Sequence, residues 1–295
     1  GPNWAYLRIA EGCDNRCAYC VIPSLRGKFR SRTKESILEE ARLLAASGVK
    51  ELIIVAQDIT RYGIDLYGKV CLTELLKELC KLDFRWVRLH YLYPELIDDE
   101  LIDEIASEDK IVKYLDIPIQ HINDTILRRM NRRGTGEEIR ALFKKLRERI
   151  PGLVLRTSLI TGLPGEGEAE FEELCDFLRE AKIERAGVFP YSPEEGTPAA
   201  LMPDRCSTEE AQRRAELCME IQAEIMDGFA ETFIGRELDV LVMGREPDGT
   251  PWGRSEYDSP DIDSRVIFSG DAAPGDMVRV RIDSVDDGEL IGEQI

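Results

Sequence analysis

The chain has 295 residues, 43% of them apolar, and a formal net charge of −18 at pH 7. The apolar share is ordinary for a globular protein with a full core; no run of about 18 apolar residues exists to span a membrane, and no basic-then-apolar leader marks a signal peptide, so a cytoplasmic protein is expected. Phosphate recognition needs clustered Lys and Arg to displace counterions, so the acidity argues against direct nucleic-acid binding and leaves two uses for it: a basic macromolecular partner, or plain solubility.

Gly1-Pro2 resembles a protease-cleavage remnant, so the chain is expected to be a piece of a longer protein. From there short apolar runs rich in Val, Ile and Leu alternate with amphipathic segments, the pattern of repeated βα units on a parallel sheet. Strands are predicted at 4–10, 51–56, 86–91, 114–117, 154–160 and 186–190. Helical patterns fill the gaps; in 34–47, Ile37, Leu38, Ala41, Leu44 and Ala45 share one face and Gly48 offers a C-terminal cap. Six units are too few to close an eight-stranded barrel. The fold class is therefore α/β, a partial, open six-unit βα barrel with active groups at the C-terminal ends of its strands.

A long helix follows, opened by a capping box of Ser207 and Glu210 and running to about Phe233, with Gly235 ending it. Beyond Gly235 the helical period stops. Alternating stretches at 237–243, 265–268 and 277–282, separated by Asp-Gly and Pro-Gly turns, predict a small antiparallel β-barrel. Domains are thus placed at 1–233 and 234–295. From Gly235 onward, fifteen acidic and six basic residues carry half of the net charge.

Eight cysteines without a signal sequence suggest a metal where they cluster and packing where they scatter. Cys71, Cys80, Cys175, Cys206 and Cys218 show no ligand spacing and read as small core residues. Gly12-Cys13-Asp14-Asn15-Arg16-Cys17-Ala18-Tyr19-Cys20 is different, a C-x3-C-x2-C loop directly after a strand. Three thiolates can hold three irons of a four-iron four-sulfur (4Fe-4S) cubane and leave the fourth open to chelate the amino and carboxylate groups of a methionine-like ligand. Zinc is the competing use of a thiolate triplet, but it needs a fourth ligand. No histidine lies in the loop, and the nearest in sequence is His90.

Gln57 and Asp58 follow the second strand, and Gln120 and His121 the fourth, all at the expected barrel mouth, as ligands or as strand-end hydrogen-bonders. Arg26, Lys28, Arg30 and Arg32 follow the cysteine loop, where they either offset an anionic cluster and meet a carboxylate or form a solvated basic stretch. Arg128, Arg129, Arg132 and Arg133 read as a helix end that favours cations rather than as a site. Thr157-Ser158-Leu159-Ile160-Thr161-Gly162-Leu163-Pro164-Gly165-Glu166 leaves the fifth strand as a Gly-rich element, or as a plain turn before a helix.

With Tyr19 before its last cysteine, the loop resembles the signature of the radical S-adenosylmethionine (SAM) superfamily. The resemblance implies a 4Fe-4S cluster on Cys13, Cys17 and Cys20, SAM as the second cofactor, and Tyr19 beside the adenine. It also implies that the element containing Ser158, Ile160 and Gly162 lines adenine and ribose, with Gln57 and Gln120 as further cofactor contacts. In that superfamily the reduced cluster cleaves SAM, and a 5′-deoxyadenosyl radical takes an unactivated hydrogen from substrate.

Five further segments narrow the resemblance: Gln57-Asp58-Ile59-Thr60-Arg61-Tyr62-Gly63, Tyr91-Leu92-Tyr93-Pro94, Leu115-Asp116-Ile117-Pro118-Ile119-Gln120-His121, Val188-Phe189-Pro190-Tyr191-Ser192-Pro193-Glu194-Glu195-Gly196-Thr197-Pro198 and Gly253-Arg254-Ser255-Glu256-Tyr257-Asp258-Ser259-Pro260-Asp261-Ile262-Asp263. They resemble the methylthiotransferases, which carry a TRAM β-barrel after the radical core, and within these the RimO type. That implies a methylthio group added to the β-carbon of an aspartate in the small-subunit ribosomal protein S-twelve. It also implies two SAM molecules per turnover, and an electron donor and a sulfur source of unknown identity. A second 4Fe-4S cluster is expected in an N-terminal domain that this sequence lacks, so the 295 residues alone are expected to bind and cleave SAM without completing sulfur insertion. No protein acid or base is assigned.

Two alternatives stand beside this reading. One is a transfer-RNA (adenosine) methylthiotransferase, whose members typically have Asn where Asp58 stands. The other is a non-catalytic iron-sulfur scaffold that docks through its barrel. An acidic barrel suits a basic ribosomal protein by charge complementarity.

Overall fold

The structure, a computed structural model, describes residues 3–295. Six parallel strands, β1 (Trp4–Arg8), β2 (Glu51–Val55), β3 (Trp86–Leu89), β4 (Ile111–Asp116), β5 (Val154–Thr161) and β6 (Arg185–Pro190), form one sheet in sequential order. Helices α1 (Lys34–Ala46), α2 (Leu72–Leu79), α3 (Asp99–Ser107), α4 (Gly136–Arg149) and α5 (Glu168–Ala181) connect them, and α6 (Thr208–Glu231) follows β6. β1 and β6 are not paired, so the βα barrel stays open, as six units require.

Successive side chains on a strand point to opposite faces. On the outer face Leu7, Leu52, Ile54, Val87, Leu89, Leu115, Leu155 and Leu159 are buried in one continuous core with the helices. The inner face carries Glu51, Arg88, His90, Asp116, Arg156 and Arg185, charged or ionisable groups where a parallel sheet usually carries apolar ones. Strand β4 starts three residues earlier than its apolar pattern suggests. Lys113 interrupts that pattern, yet its ammonium is satisfied by the carbonyls of Glu108 (2.8 Å) and Ile111 (3.0 Å).

The capping box expected at the start of α6 is half formed. Ser207 Oγ accepts the Glu210 N–H at 3.1 Å, but the Glu210 carboxylate is drawn away by Arg213 (2.7 Å) and Arg214 (2.8 Å). A complete box opens α4 instead, from Thr135 and Glu138.

Strands β7 (Glu237–Arg245), β8 (Pro251–Ser255), β9 (Val266–Ser269), β10 (Met277–Asp286) and β11 (Glu289–Gln294) close into a barrel. Pairing is antiparallel except between β9 and β11, which run parallel. The sequence pattern suggested an antiparallel barrel throughout, but a closed ring of five strands cannot alternate direction all the way round.

This small barrel seats on the N-terminal ends of the large sheet. Arg254 of β8 donates to Glu51 Oε2 (2.5 Å) while Arg88 donates to Oε1 (2.6 Å), all three side chains being buried. The segment from β8 to β9 then enters the sheet interior, with Ser259 Oγ 3.1 Å from His90 Nε2, Tyr114 donating to Asp263 (2.6 Å) and Arg185 donating to Asp258 (2.7 Å). Leu241 packs beside them on Trp86, Val112, Tyr114 and Val154. The second domain thereby forms the floor of the first.

Candidate active site

At the opposite, C-terminal ends of the strands lies a cavity of about 420 Å³. Cys13, Cys17 and Cys20 all line it, together with Tyr19, Gln57, Gln120 and Ser158. The cysteine loop leaves β1 through a two-residue ladder, Ala10–Glu11 on Arg30–Ser31, that ties its two ends together. Gly12 opens the loop at φ 80°, and a Cβ there would lie 2.2 Å from the Lys28 carbonyl oxygen, so this position admits only glycine.

Between the cysteines, Asn15 Nδ2 donates to Asp58 Oδ2 at 2.9 Å, and Asp58 also accepts the Thr60 N–H (3.0 Å) and the Thr60 hydroxyl. The loop is further pinned by Ala18 N–H on Met130 O (2.8 Å) and Ala199 N–H on Ala18 O (2.9 Å). Burial pushes the Cys13 and Cys20 thiols above their ordinary range, and the N–H groups of Asn15 and Ile22 offset this only in part. Both therefore keep their protons at neutral pH, and metal binding must displace them.

The dominant cation of the mouth is Arg132. It is buried, its Nη2 donates to Pro118 O at 2.6 Å, its Nη1 bonds to the Tyr93 hydroxyl and lies 3.9 Å from Cys17 Sγ, and its guanidinium stacks over the Tyr93 ring at 4.3 Å. The Tyr93 hydroxyl itself lies 3.0 Å from Cys17 Sγ. Reading Arg132 as part of a helix end was wrong. The helix Asp124–Arg129 stops at Met130, and Asn131 at φ 53° turns the chain back under the cysteine loop. An Asn just past a helix is the signal for such a reversal.

The basic run after the loop does not reach the mouth. Arg26 pairs with Glu11 (3.1 Å), Arg32 pairs with Glu40 (2.7 Å), and Arg30 donates to the carbonyls of Lys28 and Arg26. Asp58 and His121 do not line it either. Asp58 braces the loop from below, and His121 is buried with Nε2 3.3 Å from Glu166 Oε2.

Ser158 lines the cavity, whereas Ile160 packs with Tyr19 in an apolar cluster formed by Ala18, Ile126, Met130, Leu163, Tyr191 and Ala199. Gly162 lies outside the cavity, in a neighbouring cleft beside Tyr191 and Cys206. At φ 74° it donates its N–H to Glu166 Oε1 (2.9 Å), and a Cβ would stand 2.4 Å from that of Ala211.

Arg16 (φ 45°), Tyr91 (φ 63°) and Gln120 (φ 71°) all line the mouth in the left-handed region that such residues rarely adopt. Backbone strain gathers where function needs a fixed shape. Gln120 is held by bonds to Ser158 O (2.9 Å) and from Ile160 N–H (2.8 Å). Among the described residues no group of three or more His, Cys, Asp or Glu side chains is drawn together tightly enough to hold a single metal ion, the three loop thiols included.

Comparison with known proteins decides the family. The radical SAM superfamily model matches residues 7–178 and the TRAM domain model residues 234–295. The ribosomal protein uS12 methylthiotransferase RimO of Caldanaerobacter subterraneus subsp. tengcongensis is 50% identical over 295 residues, covering 99% of this chain and 67% of that protein. Its counterpart in Geobacter sulfurreducens is 52% identical, covering 99% and 66%. The chain belongs to the RimO methylthiotransferase family of the radical SAM superfamily.

It spans about two thirds of the length of these RimO relatives. Among solved structures, coproporphyrinogen III oxidase (HemN) from Escherichia coli aligns with a TM-score of 0.57 at 20% identity, over 76% of this chain and 53% of that one. The radical SAM methyltransferase TsrM from Kitasatospora setae aligns with a TM-score of 0.56 at 20% identity, over 67% and 38%. At this identity the likeness is one of fold.

Proposed function

We propose that this chain is the catalytic core of a methylthiotransferase that adds a methylthio group to the β-carbon of an aspartate in ribosomal protein uS12. In this reading Cys13, Cys17 and Cys20 hold a 4Fe-4S cluster, and SAM binds its fourth iron. The observation that carries the reading is that three thiols from one loop line a mouth that also contains the buried cation Arg132. Identity of about half the residues with the uS12 enzymes supports uS12 as the substrate.

The residues fit these cofactors. Gln57 lines the mouth and its Oε1 is buried without a partner, an acceptor that a bound ligand's N–H or O–H would satisfy. A thiolate-ligated cluster is anionic, and Arg132 is the charge placed to offset it and to meet a ligand carboxylate. When bound, cluster and SAM supply the one-electron carbon–sulfur cleavage and the hydrogen abstraction that an unactivated C–H bond requires.

The chain's own residues hold, orient and shield. Asn15 and Asp58 fix the loop, Tyr93 and Pro118 fix Arg132, and Tyr19, Gln57, Gln120 and Ser158 line the SAM volume. Ile160 backs Tyr19, and Leu163, Ile126 and Met130 keep water from that side. Gly162 acts one step removed, through the shape of its turn. The second cluster implied by the resemblance belongs, in this reading, to the part of the longer relatives that this chain does not span.

Anaerobic reconstitution with iron and sulfide, followed by reduction, tests the proposal. The 295-residue protein forms 5′-deoxyadenosine from SAM and C17A does not, while the full-length enzyme increases the mass of uS12 by one SCH2 unit. An intact, reduced cluster that yields no 5′-deoxyadenosine overturns it.

A further inference from the structure

The charged groups inside the sheet are mostly committed to one another. Glu51 takes both Arg88 and Arg254, and Arg185 lies against Asp258 (2.7 Å) and Asp263 (3.8 Å). Arg156 differs. Its single hydrogen bond runs from Nη1 to Asp116 Oδ1 at 2.8 Å, Asp116 is fully buried, and the Arg156 side chain stays 13% exposed. A guanidinium has five N–H donors in a planar fork, and those of Arg156 that Asp116 leaves free are not sealed off as Nη1 and Nη2 of Arg88 are.

Its height in the lumen matters. Arg156 and Ser158 share the inward row of β5, and Ser158 lines the cofactor mouth. Residues two apart on a strand are separated by roughly 7 Å, so Arg156 stands one pleat below that mouth. The register pairs Asp116 with Arg156 across β4 and β5, which locks one edge of the fork.

We propose that Arg156 is a subsite for the substrate's side-chain carboxylate, with Asp116 as the residue that positions it. The inference rests on the functional reading above. In an aspartate the carboxylate carbon is bonded directly to the β-carbon, so gripping the carboxylate through a two-pronged fork also fixes the C–H bond to be opened.

The test uses the full-length enzyme and two ligands, uS12 and uS12 with the target Asp replaced by Asn, with dissociation constants measured for both. Wild type binds the Asp form about 10- to 100-fold more tightly, the range of a charge-assisted hydrogen bond. R156Q brings that ratio close to one, and R156K, which keeps the charge but not the fork, retains an intermediate ratio and covers the case in which R156Q does not fold. A ratio unchanged in both variants, or a wild type without preference, overturns the assignment. Failure of wild type to bind uS12 in either form would instead count against the functional reading, so the two failures are separable.

Discussion

Arg132 is buried beside Cys17, and a buried guanidinium whose anionic partner arrives only with the cofactor is costly to hold without it. Its removal should therefore be felt in the cofactor rather than in the fold. R132A is expected to lose most of its iron after reconstitution and to bind SAM at least about 10-fold more weakly, with R132K in between; metal analysis and equilibrium binding read both. Asp58 acts on the same loop from below. D58A leaves the Asn15 amide and the Thr60 N–H and hydroxyl without their acceptor, at a cost of about 1–3 kcal/mol, whereas D58N keeps an oxygen in place and costs less. Chemical denaturation of the cluster-free protein separates the two. The thiolate spacing was legible because it is a local pattern. Arg132, Tyr93 and the Asn15–Asp58 bond were not, because each joins segments 43 to 115 residues apart.

At the scale of elements, alternation along six strands was enough to read the open βα barrel, since a helix-covered sheet leaves a repeating apolar signature on its outer face. The inner face follows no such rule. Its charged residues leave no local pattern, because their partners come from the segment between β8 and β9, far along the chain. Glu51 is the pivot, holding Arg88 from β3 and Arg254 from β8. E51A leaves two buried guanidinium groups uncompensated, a change that typically costs about 3–5 kcal/mol. A lowered unfolding midpoint together with faster proteolysis between α6 and β7 is the expected result. An unchanged midpoint would mean that the barrel is held by its apolar contacts alone.

At the scale of the whole molecule, acid is expected to act at the join between the two domains. Burial, with help from the charges of Arg88 and Arg156, pushes His90 down to about 3 from an ordinary value of 6.5. Its contribution to stability is complete above pH 6.5 and is lost as the pH falls from there towards 3, because the unfolded chain takes up the proton that the folded one refuses. The loss amounts to about 1.4 kcal/mol per pH unit. Thermal unfolding between about pH 6.5 and 5 should therefore fall more steeply for wild type than for H90Q, and parallel slopes would show that His90 is not the group responsible.

The stopper made by residues 256–264 bears on how such enzymes diversify. A module that forms the underside of a reaction chamber cannot be exchanged as a mere recruitment arm. Grafting the β-barrel of an RNA-modifying relative onto this core would replace Asp258, Ser259 and Asp263 beneath the chemistry at the same stroke, so hybrids of the two kinds should inherit altered turnover along with altered partner choice.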